Sequence, residues 1–136
     1  MIRTALCDSF KLDLLMGRQK IDDQYMIALY GPDASINRDS SEYTSNGEVS
    51  GNGYEPGGKE LAGARAYLQD GSAFLAFDEV RWDNISVVAS GCMIYNRSAG
   101  NRAVATFSFG QDVEARNGKF TVHIPSSGRE SLICIL

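Results

Sequence analysis

Ile85-Ser86-Val87-Val88-Ala89-Ser90-Gly91-Cys92-Met93-Ile94-Tyr95 is the longest β-like run in the chain. In a strand, Ile85, Val87, Ala89, Gly91, Met93 and Tyr95 share one face, and Ser86, Val88, Ser90, Cys92 and Ile94 share the other. The first set is expected to face inward. On the N-terminal side, Asp78 to Asn84 alternates loosely and breaks at Asp83-Asn84. Before it, Asp70-Gly71 separates two strand-like segments, the strongest short-range hairpin signal. On the C-terminal side, residues 96–101 read as a turn, and Ala103 to Phe109 as a strand ended by Gly110. After Asn117-Gly118, the residues Phe120, Val122 and Ile124 alternate with polar partners. Pro125 to Gly128 turns the chain into a last strand over 131–136.

Earlier in the chain, Gln24 to Tyr30 is a compact apolar run that stops at Gly31-Pro32-Asp33. It predicts a strand buried on both faces. Together these segments make about eight strands at regular spacing. That pattern predicts an all-β fold, an antiparallel β-sandwich with a jelly-roll-like arrangement as the leading form. Residues 33–46 are polar and without period, which predicts a long surface loop.

Between that loop and the hairpin lies Gly47-Glu48-Val49-Ser50-Gly51-Asn52-Gly53-Tyr54-Glu55-Pro56-Gly57-Gly58-Lys59-Glu60-Leu61. Five glycines in twelve positions predict a backbone that turns repeatedly or runs close to another surface. Near the start, Asp8 to Gly17 reads as a short helix, with Asp8 or Ser9 as its cap, Gly17 at its end, and Phe10 and Leu14 on one face. Two turns of helix are not stable alone, so this one must dock, on its own domain or as an arm on a neighbouring subunit.

The 136 residues predict one domain, with 1–23 as an N-terminal arm or helix and 24–136 as the sandwich. A chain of this size buries about two-thirds of its unfolded surface. The net charge is −4 and the thirteen Lys and Arg residues are scattered, so no nucleic-acid partner is expected. No run of eighteen apolar residues occurs, and no membrane span or leader is expected. The cysteines Cys7, Cys92 and Cys134 are odd in number and far apart, which predicts free thiols and maturation in a reducing cytoplasm.

Chemistry is sparse. His123 is the single histidine, so no His cluster can form, and no cysteine pair has zinc spacing. The acids Asp22-Asp23, Asp78-Glu79 and Asp112 with Glu114 would need to face one another across a cleft to act as a hydrolytic pair. Gly51-Asn52-Gly53 lacks the rest of a nucleotide-binding loop. Trp82 and Tyr95 read as core or sheet-face aromatics. No catalytic residue, cofactor or metal is predicted, and the chain is not expected to be an enzyme.

The ordered set Ala28-Leu29-Tyr30, Tyr43, Gly47-Glu48-Val49-Ser50-Gly51, Gly53-Tyr54, Gly57-Gly58, Leu61, Trp82, Ile94-Tyr95-Asn96, Asn101-Arg102-Ala103-Val104 and Phe120-Thr121-Val122 resembles the capsid decoration, or cement, proteins of tailed bacteriophages. Phe10 to Gly17 resembles the start of that family, and the two differ after Gly17. The resemblance implies a jelly-roll subunit on the outer surface of a virion, made in the host cytoplasm. Its implied partner is the major capsid protein. A homodimer is the first expectation for its assembly and a trimer the second, because an isologous interface suits the two-folds of a shell. Candidate interface residues are Gly51, Asn52, Gly53 and Tyr54, with Tyr43 from the polar loop and Phe10 and Leu14 from the helix. The same glycines could instead make turns inside the domain. The alternative function is a carbohydrate- or receptor-binding sandwich of a tail or fibre, with Tyr43 and Tyr54 stacking on sugar.

Overall fold

The computed structural model describes residues 1–123 in full and the backbone of residues 133–135. It is an all-β sandwich with one short N-terminal helix. The elements are β1 (Ala5–Leu6), α1 (Asp8–Leu15), β2 (Tyr25–Tyr30), β3 (Lys59–Glu60), β4 (Arg65–Gln69), β5 (Ser72–Ala76), β6 (Val80–Asn96), β7 (Arg102–Val122) and β8 (Ile133–Ile135). A five-stranded sheet runs β1-β7-β6-β2-β3, and a three-stranded sheet runs β4-β5-β8. Every strand pairing is antiparallel.

β6 and β7 form one long hairpin, paired from Val80 opposite Val122 to Asn96 opposite Arg102. The expected breaks at Asp83-Asn84 and Gly110 do not end strands. They are irregularities inside β6 and β7, with Asn84 at φ 51° and Gly110 at φ 79°. Ala89 faces Val113 and Gly91 faces Ser108, so two steps along β6 match five along β7. Bulges bend and twist a strand without removing it from its ladder. They let one long hairpin take the place of four shorter predicted strands.

The inward set on β6 is buried as expected, but Cys92 and Ile94 on the opposite face are buried too. From Gly91 onward β6 lies between β2 and β7 with both faces covered. β2 is buried at every position, in accord with its continuous apolar run. The hairpin at Asp70-Gly71 forms with both residues at positive φ (53° and 81°), the geometry of a type I′ turn. Phe77, just after β5, joins the main core with its ring 5.4 Å from that of Tyr25.

The N-terminal segment folds onto its own chain. β1 pairs with β7, Ile2 bridges Ile36, and both isoleucines are core residues. Ala34 and Ile36 are buried, so the polar loop is anchored across the sheet edge and is not purely surface. α1 ends as predicted at Gly17, whose N–H donates to Leu14 while Arg18 N–H donates to Asp13, a Schellman closure. Its N-cap is Cys7 rather than Asp8 or Ser9, with no side-chain cap. Its inward face is Phe10 with Asp13, not Phe10 with Leu14. Leu12, Leu15 and Met16 are exposed. The predicted turn at 125–128, Ile124 and the ends of the last predicted strand lie outside the described residues.

Candidate functional site

The glycine stretch lies along the central sheet as an irregular edge. At its start Gly31 N–H donates to Gly47 O, Glu48 bridges Tyr30, and Val49 N–H donates to Leu29 O. The chain then passes beside β6, where Ser86 N–H donates to Asn52 O at 2.9 Å. It returns along β2 through β3, and Leu61 N–H donates to Tyr25 O. An open strand edge is thereby covered.

The close approach read from the glycines is real, and the surface approached is the protein's own. A Cβ on Gly51 would sit 2.0 Å from Ser86 O, and one on Gly58 would sit 1.8 Å from Ile27 O. No heavy-atom contact is tolerated at such distances. Gly53 packs likewise on Asn84 O, at 2.4 Å. Gly51, Asn52 and Gly53 keep their other side open to solvent.

Glu48 is the hub of this region. Its Oε1 accepts from the Tyr43 hydroxyl, and its Oε2 accepts from the Tyr54 hydroxyl and from Gly57 N–H at 2.8 Å. The Tyr54 oxygen accepts in turn from Leu29 N–H at 3.0 Å, which ties the hub to β2. Tyr95 of β6 donates to Gly57 O at 2.6 Å, and Tyr30 donates to Thr44 O at 2.6 Å. The Tyr43 ring lies 4.8 Å from the Tyr95 ring. Burial pushes the phenols of Tyr30, Tyr43 and Tyr54 upward, and the Glu48 charge adds to the shift. They stay protonated and donate. The cluster therefore holds loop to sheet and offers no phenolate base.

Two interface candidates are thus committed to the interior. Tyr54 is 7% exposed and Phe10 is 2% exposed. Tyr43 is half-buried, with its hydroxyl on Glu48. Burial of Tyr54 also removes it as a sugar platform. Asn52, the outer side of Gly51 and Gly53, and the partly exposed Leu14 are what remains accessible. The candidates fall into two separate groups, the glycine stretch with Tyr43 and the helix.

A second polar centre lies under the helix. Asp13 is fully buried and accepts from Arg102 Nε at 2.6 Å and Gln19 Nε2 at 3.0 Å. Asn96 Nδ2 donates to Gln19 Oε1 at 3.2 Å and to Asp23 Oδ2 at 2.8 Å. Burial opposes ionisation of Asp13, but the hydrogen bonds from Arg102 and Gln19 and the charges of Arg102 and Arg18 outweigh it, and the pKa falls below the usual carboxylate range. Sequence reading overlooked this centre. The one available signal was an aspartate inside the apolar run Leu12-Asp13-Leu14-Leu15.

The remaining acids are not brought together. Asp78 pairs with Arg65, Glu79 approaches His123, Ser90 donates to Asp112, and Glu114 pairs with Arg116. His123 is exposed at the end of β7. Trp82 is a core residue, with its ring edge-on to Phe120. Cys7 and Cys92 are buried free thiols, pushed up to about 12 by burial, with the Asp8 charge adding at Cys7. The Cys134 side chain lies outside the described residues. Among the described residues no group of three potential ligands could hold a metal ion, and no helix is long and apolar enough to cross a membrane. No family model, no curated protein and no solved structure matches the chain.

Proposed function

We propose that the chain is a structural virion protein that binds the outside of a phage head and stabilises the lattice of the major capsid protein. The reading rests on the resemblance of its sequence to decoration proteins. One observation supports it. Five of the residues that carry the resemblance, Leu29, Glu48, Tyr54, Gly57 and Tyr95, are joined by consecutive hydrogen bonds, Leu29 and Gly57 through their backbone groups. This part of the resemblance falls on one physical scaffold, the seal between the glycine stretch and the β2–β6 pair, while Trp82 and Phe120 to Val122 lie outside it on the β6–β7 hairpin.

On this reading Asn52 with the open side of Gly51 and Gly53 forms one shell-facing patch. The exposed apolar side of α1, with Leu15 at 87% exposure, forms another. Each contact would be small, and many copies would add up to a stiff shell. A two-fold assembly, with a trimer as second choice, follows from the symmetry available on a shell.

The test adds purified protein to heads that lack it. Binding in hundreds of copies on the outer surface in cryo-electron microscopy, with raised resistance of the shell to heat, is the expected result. Attachment of a few copies to a tail would replace the reading with the fibre alternative. Absence of binding would reject both.

A further inference from the structure

We infer that the outer edge of β4 is a self-pairing surface, on which a second copy of this chain adds its own β4 antiparallel across a two-fold axis. The inference deepens the two-fold assembly proposed above and rests on that reading, while its own observations are those of the β4 edge.

β4 is the open edge of the three-stranded sheet: among the described residues only β5 pairs with it. The two-residue turn makes Gln69 and Ser72 the closing hydrogen-bonded pair. Counting back along an antiparallel ladder, Tyr67 and Arg65 bond to β5 as well, while Ala66 and Leu68 turn their N–H and C=O groups outward. Neither Ala66 nor Leu68 makes a hydrogen bond elsewhere among the described residues. Among the described residues the edge has little of the usual protection, with Arg65 as its one charged side chain. It has no proline, no bulge and no lysine, and its Leu68 is 79% exposed.

The sequence of this edge is complementary to itself. With the axis at Tyr67, Ala66 of one copy faces Leu68 of the other, so the outward groups of each satisfy the other's. Arg65 faces Gln69, next to the acidic Asp70, so no like charges oppose. Tyr67 faces Tyr67. Each Tyr67 ring already stacks on Phe74 at 5.3 Å, and the pairing would extend these into one aromatic row across the joined sheets. On the other face Ala66 lines an apolar groove of about 180 Å³ between the small sheet and Phe10, Leu14 and Ile21. Leu68 lies at its rim by the same alternation, and a second Leu68 arriving there would cover it. Six strands would then form one sheet with apolar material on both faces.

The experiment measures mass in solution by sedimentation for wild type, Ala66→Pro and Leu68→Lys. Ala66→Pro removes an outward N–H and no bond to β5. Leu68→Lys sets an ammonium group opposite Ala66 of the other copy, at the rim of the apolar groove on each side of the axis. The expected result is a dimeric wild type and monomeric variants that still unfold cooperatively, at a melting temperature lowered only by the loss of association. If both variants remain dimeric and folded, the edge proposal falls while the two-fold assembly stands. A wild type that is monomeric at micromolar concentration overturns both. If the variants fail to fold, mild oxidation of Tyr67→Cys decides. A covalent dimer at position 67, and none with Gln69→Cys, supports the register, and absence of the dimer at position 67 overturns it.

Discussion

Glu48 and Asp13 each hold a stretch of irregular chain against the central sheet, but they do so with different partners. Glu48 accepts from two tyrosine hydroxyls and one backbone N–H, all neutral donors. Asp13 is buried against the charged Arg102, with Gln19 on the same Oδ2, while Oδ1 accepts no hydrogen bond among the described residues and has Arg18 at 3.7 Å. Around Glu48 the backbone is shaped by glycines that touch β2 and β6 directly. Around Asp13 side chains bridge the gap from α1 to the β6–β7 turn. The first region depends on close fit, the second on charge. A close fit fails when an atom is added, whereas a charge contact fails when a proton is added.

The largest effect is expected from Gly58→Val. Its φ of 82° and the 1.8 Å approach of a Cβ to Ile27 O leave a β-branched side chain no place. We expect a loss above about 4 kcal/mol, enough to abolish cooperative thermal unfolding. A folded variant with normal melting would show that the seal can slide and that close fit does not govern it.

Glu48→Ala comes next. It strands two phenol donors and one N–H, each worth about 1–3 kcal/mol when buried without a partner. The pieces share one cluster and do not add fully. We expect about 3 kcal/mol in chemical denaturation, with Glu48→Gln milder because it keeps one acceptor oxygen. Equal losses for the two variants would mean that the contact is ionic after all.

Asp13→Asn should cost about 2 kcal/mol, the range of a charge-assisted hydrogen bond, since Arg102 is one-third exposed and can turn to water. Its signature is the pH profile. The folded pKa of Asp13 is depressed, so its contribution is present above the ordinary value of about 3.9 and is lost as pH falls through the folded value. The stability gap between wild type and Asp13→Asn should therefore be full near neutrality and close in acid. A gap that persists unchanged in acid would remove the charge from the account.

The smallest effect is the control for the first. Gly71 also has positive φ, 81°, but nothing lies within 4 Å of the Cβ it would carry. Gly71→Ala should cost about 1 kcal/mol, the strain of left-handed backbone alone. A loss as large as that of Gly58→Val would mean that φ, and not contact, sets the cost at both sites.

The all-β class, the buried strand at 25–30, the Asp70-Gly71 hairpin and the Gly17 helix end were all legible in the sequence. Each depends on a period, a turn dipeptide or a single residue's backbone freedom, which neighbours in the chain determine. The count of separate strands was not legible, because a bulge such as that at Gly110 uses the same residues as a turn. Only the opposite strand distinguishes the two. The glycine stretch announced a close approach, but its partners Ile27, Asn84 and Ser86 are remote in sequence. Whether it faced a second protein or its own sheet was settled by tertiary contact. Asp13 shows the same limit. Its neighbours in sequence are leucines, and the Arg102 that makes its burial tolerable lies eighty-nine residues away. Local chemistry is written in neighbouring residues, whereas the pairing of a buried charge is written only in the fold that brings its partner to it.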